Sequence, residues 1–481
     1  MADQPGLALA ISQNKYLSTE DKELHAILTV TAHDLVRAPH GQTPEAAEVI
    51  AIDCSGSMGS PPTKISAARH ATAAAIDAMR DGVFFGVVEG THTARMVYPG
   101  EPQLTAATPA TRDAAKAAVR HLVASGGTAM GRWLRLADQL LDRHPATLRH
   151  LILLTDGQNL PENRRDLDEA LTSCEGKFVC DGRGIGDDYD PAELRRIAST
   201  LHGSADAIID DADLVADFTA VMRAAMSKVV PDVQLHIRTM PFARLRYIKQ
   251  MFPTEIDLTE LSTSTDDQTS GFSTGSWSDR EDREFHVCLE LQQEELTMHE
   301  DLQAARVHLA VMHAGADGPE TCGRPEAIRV HWTDDVKLSS VLDPKVAHYT
   351  GHTDLSDAVK AGCDAHDVGD LATATAEWGR AVALAAKLGH DAMLTRLGRL
   401  VDIVGAPADG VVRVKHNLLP REIYSAVMGS SMSTHSPDPP AQQASPDLPA
   451  EPDRTCPQCG YLSPPTAAYC APCGHPLVPI T

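Results

Sequence analysis

Aromatic residues are scarce. Phe, Tyr and Trp make up 4% of the 481 residues, so any core must rest on Ala, Val, Leu and Ile. No stretch of about 18 uncharged apolar residues occurs, and the sequence therefore offers no transmembrane helix. The opening residues, Met1-Ala-Asp-Gln-Pro-Gly-Leu-Ala-Leu-Ala10, lack the basic region and apolar run of a signal peptide. Basic residues are outnumbered: 42 Lys and Arg stand against 66 Asp and Glu, a net charge of −24. Phosphate binding needs dense Lys and Arg, so nucleic acid and anionic membranes are disfavoured as partners. Solubility and basic or metal-bridged partners are favoured. No Gly-x-x-x-x-Gly-Lys-Ser/Thr loop occurs, so any nucleotide hydrolysis would belong to a partner. A disulfide framework is also missing. Cys54, Cys174, Cys180, Cys288, Cys322 and Cys363 are scattered singly, as free thiols are in a reducing cytoplasm.

What is present is a sequence of contrasting patterns. At roughly 100–200 residues per domain the length suggests about three domains. Residues 1–44 contain two runs of strand-like alternation, Leu7/Leu9/Ile11 and Leu24/Ala26/Leu28/Val30. From 45 to 228 apolar β-type runs alternate with helical ones. Val49–Asp53, Val83–Gly90, Ala94–Tyr98, His150–Thr155, Phe178–Asp181 and Ala207–Ile209 read as strands. Lys64–Arg80, a segment after Thr108-Pro109, Arg132–Arg143, 165–174, 191–201 and 212–228 read as helices. Thr108 and Pro109 suit an N-cap and first helical position. Such alternation argues for a mostly parallel sheet covered on both faces.

From 229 to 345 the pattern becomes all-β. Val233/Leu235/Ile237, Phe285/Val287/Leu289/Leu291, Val307/Leu309/Val311 and Ile328/Val330/Trp332 alternate, and 262–282 reads as a polar loop. These strands suggest an antiparallel sandwich, which the N-terminal pair can complete, making the α/β unit an insertion. Residues 346–430 read as a helical region, a hairpin of the tetratricopeptide kind broken at Gly369-Asp370. Ala374, Trp378, Ala381, Leu384 and Leu388 form its apolar face. Residues 431–454, rich in Ser, Pro, Ala, Gln and Asp, read as a disordered linker, and 455–481 hold a cysteine module.

The chemistry concentrates where strands end. Val49-Ile-Ala-Ile-Asp53 runs straight into Cys54-Ser-Gly-Ser57, and His150–Thr155 ends at Asp156-Gly157. In open α/β sheets functional groups collect beyond the carboxyl ends of strands. Between these two segments, Ser125-Gly-Gly-Thr128 brings a further hydroxyl on a flexible loop. Two carboxylates and three hydroxyls are hard oxygen donors of the kind that suits Mg2+. Enzyme readings of the first loop meet obstacles. A cysteine phosphatase needs Arg six positions after Cys54, where Ser60 stands. A haloacid-dehalogenase-type phosphatase wants Asp at position 55, which is Ser55. A serine-hydrolase elbow needs Gly on both sides of its Ser, and neither Ser55 nor Ser57 has them. Cys54 and Met58 read as packing residues, and His92 as a solvated loop residue.

Asp53-Cys54-Ser55-Gly56-Ser57 is similar to the Asp-x-Ser-x-Ser signature of von Willebrand factor A (vWA) domains. Gly127-Thr128 resembles their second metal loop and Leu154-Thr155-Asp156-Gly157 their third, in the family's order. The resemblance covers about residues 45–228. It implies a Rossmann-like α/β domain with a metal-ion-dependent adhesion site. Ser55, Ser57 and Thr128 would hold Mg2+ (or Mn2+) directly, with Asp53 and Asp156 acting mainly through waters. It also implies a partner protein whose Asp or Glu fills the open position. The whole chain looks like cytoplasmic vWA proteins of actinobacteria.

Cys456-Pro-Gln-Cys459-Gly and Cys470-Ala-Pro-Cys473-Gly form two C-x-x-C knuckles. Four thiolates at this spacing can close a tetrahedral Zn2+ site, and the module resembles short bacterial zinc ribbons. It carries no Lys or Arg from 455 to 481, which favours a folding or protein-docking role. With about 27 residues it needs the metal for much of its folding free energy.

The sequence thus leads to a fold class: α/β, a Rossmann-like vWA domain inserted in or flanked by an antiparallel β-sandwich, then a helical hairpin and a small zinc ribbon. The expected function is non-enzymatic, metal-dependent protein binding in the cytoplasm, with the ribbon as a second tethered contact. The alternatives are a phosphatase-like hydrolase using Asp53, or a subunit of an ATPase- or chelatase-type assembly.

Overall fold

Strand Ala46–Asp53 (β3) is buried along its whole length, as a strand covered on both faces must be. It lies mid-sheet, parallel to Phe84–Gly90 (β4) on one side and to Leu148–Thr155 (β6) on the other. This computed structural model describes residues 6–33, 35, 45–160, 162–266, 268–292, 298–312 and 319–436 in one unit. In a second unit, spanning Pro437–Thr481, it describes 454–455, 457–458 and 462–463.

The remaining strands of the α/β sheet are Ala94–Tyr98 (β5), Val179–Ile185 (β7) and Ala205–Ile208 (β8). The order is β8-β7-β6-β3-β4-β5, with the short strand Thr105–Ala106 also pairing with β4. All neighbours are parallel except those of β5 and Thr105–Ala106. Helices Thr63–Ala78 (α1), Pro109–Val119 (α2) and Leu214–Met226 (α6) bury Ile65, Ala68, Val119, Phe218 and Met222 on one face. Helices Met130–Asp142 (α3), Arg164–Cys174 (α4) and Pro191–Thr200 (α5) bury Trp133, Leu134, Leu167, Leu194 and Ile197 on the other. Thr108 caps α2, accepting from the Thr111 amide at 3.2 Å, with Pro109 as the first helical residue.

Sandwich strands come from both sides of this unit. Gly6–Gln13 (β1) and Glu23–His33 (β2) precede it. Asp232–Thr239 (β9), Ala243–Phe252 (β10), Ser262–Asp266 (β11), Thr269–Ser273 (β12), Asp282–Leu291 (β13), Asp301–Met312 (β14) and Glu320–Trp332 (β15) follow it. One sheet is ordered β1-β2-β13-β10 and ends in Ile256–Asp257. The other is β11-β12-β9-β14-β15 and ends in Tyr16–Leu17. They share one core, in which Leu24, Ala26 and Val287 meet Val233, Leu235, Val307 and Trp332. β12 reaches β9 on one side and β11 on the other, so the first part of the expected polar loop at 262–282 is instead a hairpin, and Trp277–Ser278 within the rest pairs with Lys228–Val230. Ser and Thr fit a pleated surface when a neighbouring strand supplies the ladder.

The helical region also departs from the expected hairpin. It holds three consecutive helices, Pro344–Asp367 (α7), Leu371–Lys387 (α8) and Asp391–Leu400 (α9), and, after a short β-hairpin, Pro420–Gly429 (α10). Gly389, at φ +66°, makes the second break. Ala374, Trp378 and Ala381 are buried as the apolar face requires, while Leu384 and Leu388 pack at its edge. α7 covers the outer face of the β1-β2-β13-β10 sheet through Val346 and Tyr349 against Ile27 and Met251. α10 reaches the α/β unit, where Met428 and Tyr424 join the α3–α5 side. In the second unit Arg454–Thr455 pairs antiparallel with Leu462–Ser463. Cys456, Cys459, Cys470 and Cys473 lie outside the described residues. Among the described residues no helix is long and apolar enough to cross a membrane.

Candidate metal centre

Parallel pairing sets the site. β3 and β6 run in register, Ile52 beside Leu154, so Asp53 and Asp156 leave the sheet at the same edge, both wholly buried. The Asp53 carboxylate accepts two short bonds, from the Ser55 amide at 2.7 Å and the Thr155 hydroxyl at 2.7 Å. Asp156 accepts from the Ser57 hydroxyl at 2.7 Å on one oxygen and from Lys64 Nζ at 2.8 Å on the other. The Ser55 and Ser57 hydroxyls are 2.9 Å apart.

The third loop element closes the set. A Cβ placed on Gly157 would lie 3.1 Å from Thr128 Oγ1, 3.3 Å from Ser57 Oγ and 3.9 Å from Ser55 Oγ. Three hydroxyls from two separate loops therefore ring one point, and glycine at 157 keeps that point open. Backbone bonds pin the loops together. Ser125 donates its amide to the Cys54 carbonyl at 2.6 Å, and Gly56 to that of Gly126 at 2.9 Å. The Thr128 amide donates to the Leu160 carbonyl at 2.7 Å, and that of Met130 to the Asn159 side chain at 2.8 Å. All five oxygen-bearing residues singled out from the sequence, Asp53, Ser55, Ser57, Thr128 and Asp156, thus meet at one end of the sheet. Cys54 and Met58 are buried in the core, and His92 is exposed, lying against Gly126.

A family model described as a von Willebrand factor type A domain matches residues 47–207. A von Willebrand factor type A structure from Catenulispora acidiphila is 40% identical, with 90% of this chain and 98% of that one covered and a TM-score of 0.81. The chain belongs to the von Willebrand factor type A family. The ArnB paralog VWA2 from Sulfolobus acidocaldarius shares the fold at 13% identity, with a TM-score of 0.50 and coverage of 89% and 100%. No curated protein matches the sequence. Type A domains are generally protein-interaction modules, often dependent on a divalent metal.

The donor set of this type A domain fits such an ion. Hard oxygens converge, two carboxylates supply charge, and no soft ligand intrudes. Burial pushes the Asp53 carboxyl up to about 6, against the hydrogen bonds from Ser55 and Thr155 that pull it down. A nearby cation is what such a buried acid lacks.

Two residues of the site escaped the sequence reading. Thr155 orients Asp53. Lys64 is the larger omission, an almost fully buried ammonium paired with Asp156. Lys64 sits in the first turn of α1, where the helix dipole mildly disfavours a cation, but that position alone does not point to Asp156. A phosphatase-like hydrolase using Asp53 would need a cation for the transferring phosphate; Lys64 is one, but it is paired with Asp156, and Asp53 is fully buried and accepts a hydrogen bond on each carboxylate oxygen.

Proposed function

We propose that this protein is a non-enzymatic, metal-dependent protein-binding protein of the cytoplasm. Ser55, Ser57 and Thr128 hold Mg2+ or Mn2+ directly, and Asp53 and Asp156 act from behind them. The bound ion supplies a Lewis-acidic position that a partner's Asp or Glu carboxylate can fill. The observation that carries this reading is the ring of three hydroxyls beside Gly157, backed by two buried carboxylates and one ammonium. That inventory holds two negative charges against one positive, so the site is one cation short.

The surroundings suit docking. Val123, 64% exposed, and Leu160, 62% exposed, stand on the second and third loops. Each gives a partner apolar contact beside the polar socket. The C-terminal cysteines bind Zn2+ in this reading and make a second, tethered contact. Lys64 belongs to the same scheme. It neutralises Asp156 while the site awaits its ion, which spares the fold an uncompensated buried charge.

Chelator-stripped full-length protein, immobilised and offered the same lysate with Mg2+ or with chelator, tests the reading. A partner retained only with Mg2+, and lost again on Thr128→Ala, is the expected result. Equal retention in chelator counts against it. Robust turnover of generic phosphoesters that vanishes with Asp53→Ala would install the hydrolase reading instead.

A further inference from the structure

Strand alternation gives the sheet β1-β2-β13-β10 two chemically different faces. Leu24, Ala26 and Leu28 of β2, and Phe285, Val287 and Leu289 of β13, point into the sandwich core. Glu23, His25, Ile27 and Thr29, with Glu284, His286 and Cys288, therefore share the outer face. Helix α7 covers one half of that face. There Ile27 packs under Val346 and Tyr349, and Glu284 accepts bonds from Lys345 and Tyr349. The other half carries a cluster that neither the α/β site nor the helical cover uses.

Cross-strand register places Cys288 opposite His25 and Tyr247 opposite Cys288. One donor atom each from Glu23, His25 and Cys288 lies within 4.8 Å of the other two. His25 Nε2 is 3.6 Å from Glu23 Oε2, and Cys288 Sγ is 3.9 Å from the same oxygen. The other ring nitrogen of His25 meets His286 Nε2 at 3.1 Å. We propose that Glu23, His25 and Cys288 form a binding site for a zinc-class divalent ion, with His286 as the residue that orients the His25 ring.

The donor set selects the ion. Imidazole, thiolate and carboxylate together match the borderline-soft metals, with zinc foremost, and exclude Mg2+ and Ca2+. Metal–ligand bonds of about 2.0–2.3 Å put tetrahedral ligands roughly 3.3–3.7 Å apart. The spacing of 3.6 Å lies in this range and that of 3.9 Å just above it, and the third pair, within 4.8 Å, closes up when the ion binds. Three protein ligands leave a fourth position for water. The hydrogen bond to His286 fixes the His25 tautomer, as the outer partners of metal-bound histidines do. Cys288 gives up its proton to solvent as the metal–sulfur bond forms.

Access and competition are both visible. His25 and Glu23 keep 29% and 42% of their side chains exposed, while Cys288 is fully buried. Arg246 pairs with Glu23 and flanks Cys288, its side chain more than half exposed. Its guanidinium holds the other oxygen of the Glu23 carboxylate, Oε1, and so competes with a metal cation for that charge.

Zinc equivalents can be counted on full-length protein by competition with a chromophoric chelator, in excess Mg2+ to cover the type A site. The four C-terminal cysteines contribute equally to every variant and cancel in the differences. Cys288→Ser and His25→Gln should each lose one equivalent relative to the unaltered protein. His286→Gln should keep that equivalent with affinity weakened by roughly tenfold or more. Arg246→Gln should keep it and bind more tightly, because a competitor is gone. Partly exposed His25 makes its substitution informative even if Cys288→Ser disturbs folding, which circular dichroism would reveal. The full zinc complement in His25→Gln overturns the proposal.

Discussion

At its amino end the strand pair β3–β6 buries Glu48 and His150. At its carboxyl end the same pair presents Asp53 and Thr155, with Asp156 one step beyond. The amino end is closed on itself. His150 bridges Glu48 at 2.8 Å and Asp181 at 2.9 Å, and Lys228 and Arg283 share Glu281. Glu48, Asp181 and Glu281 are matched by His150, Lys228 and Arg283. Most of these groups line a cavity of about 230 Å3 where the α/β unit meets the sandwich, large enough for several waters. The carboxyl end is built from the same kinds of groups yet stays unbalanced, with Asp53 and Asp156 against Lys64 alone and hydroxyls where further cations would sit. One end is a structural joint, and the other, in the proposed reading, takes an ion.

The difference can be broken most severely at the joint. His150→Leu leaves two buried carboxylates without their cation, and removal of one partner from a buried pair costs about 3–5 kcal/mol. Chemical denaturation should register that loss with Mg2+ or without it, because the metal site lies at the other end of the strands. Recovery of stability on adding Mg2+ would mean that the two ends are not separate.

The joint should also weaken in base. Burial alone would lower the pKa of His150, but Glu48 and Asp181 outweigh it and raise it from 6.5 to about 10. The stabilisation is complete below about 6.5, where the unfolded chain is protonated as well. It drains away as pH rises to about 10, by an expected few kcal/mol. Denaturation midpoints across this range should fall for the unaltered protein and stay flatter for His150→Leu.

Its response to Mg2+ separates Lys64 from His150. Lys64→Met leaves Asp156 with the Ser57 hydroxyl alone, an uncompensated buried charge that costs about 3 kcal/mol or more in the metal-free protein. Here Mg2+ should restore the loss, and the variant should bind the ion more tightly than the unaltered protein. A Lys64→Met protein whose instability ignores Mg2+ would place Lys64 with the structural charges.

Legibility in the sequence followed the same division between local and long-range causes. The run Val49–Asp53 announced a buried strand ending in an acid, and Thr108-Pro109 announced a helix start, because each signal lies within a few residues. Alternation at 285–291 and 307–311 gave two sandwich strands for the same reason. β10 was not singled out, since register shifts near Leu245 and Gln250 break its period of two. β11 and β12 passed for a loop because Ser and Thr reveal a strand only beside a neighbour. The five oxygen donors were legible through their spacing in three motifs. Lys64 was not, because its partner Asp156 lies 92 positions away and only the fold joins them.

The most direct test is calorimetric titration of Mg2+ into chelator-stripped full-length protein beside Asp53→Ala. The account requires saturable binding of one ion in the unaltered protein and its loss in the variant, with the fold intact by circular dichroism. No uptake by the unaltered protein, or equal uptake by both, would contradict it.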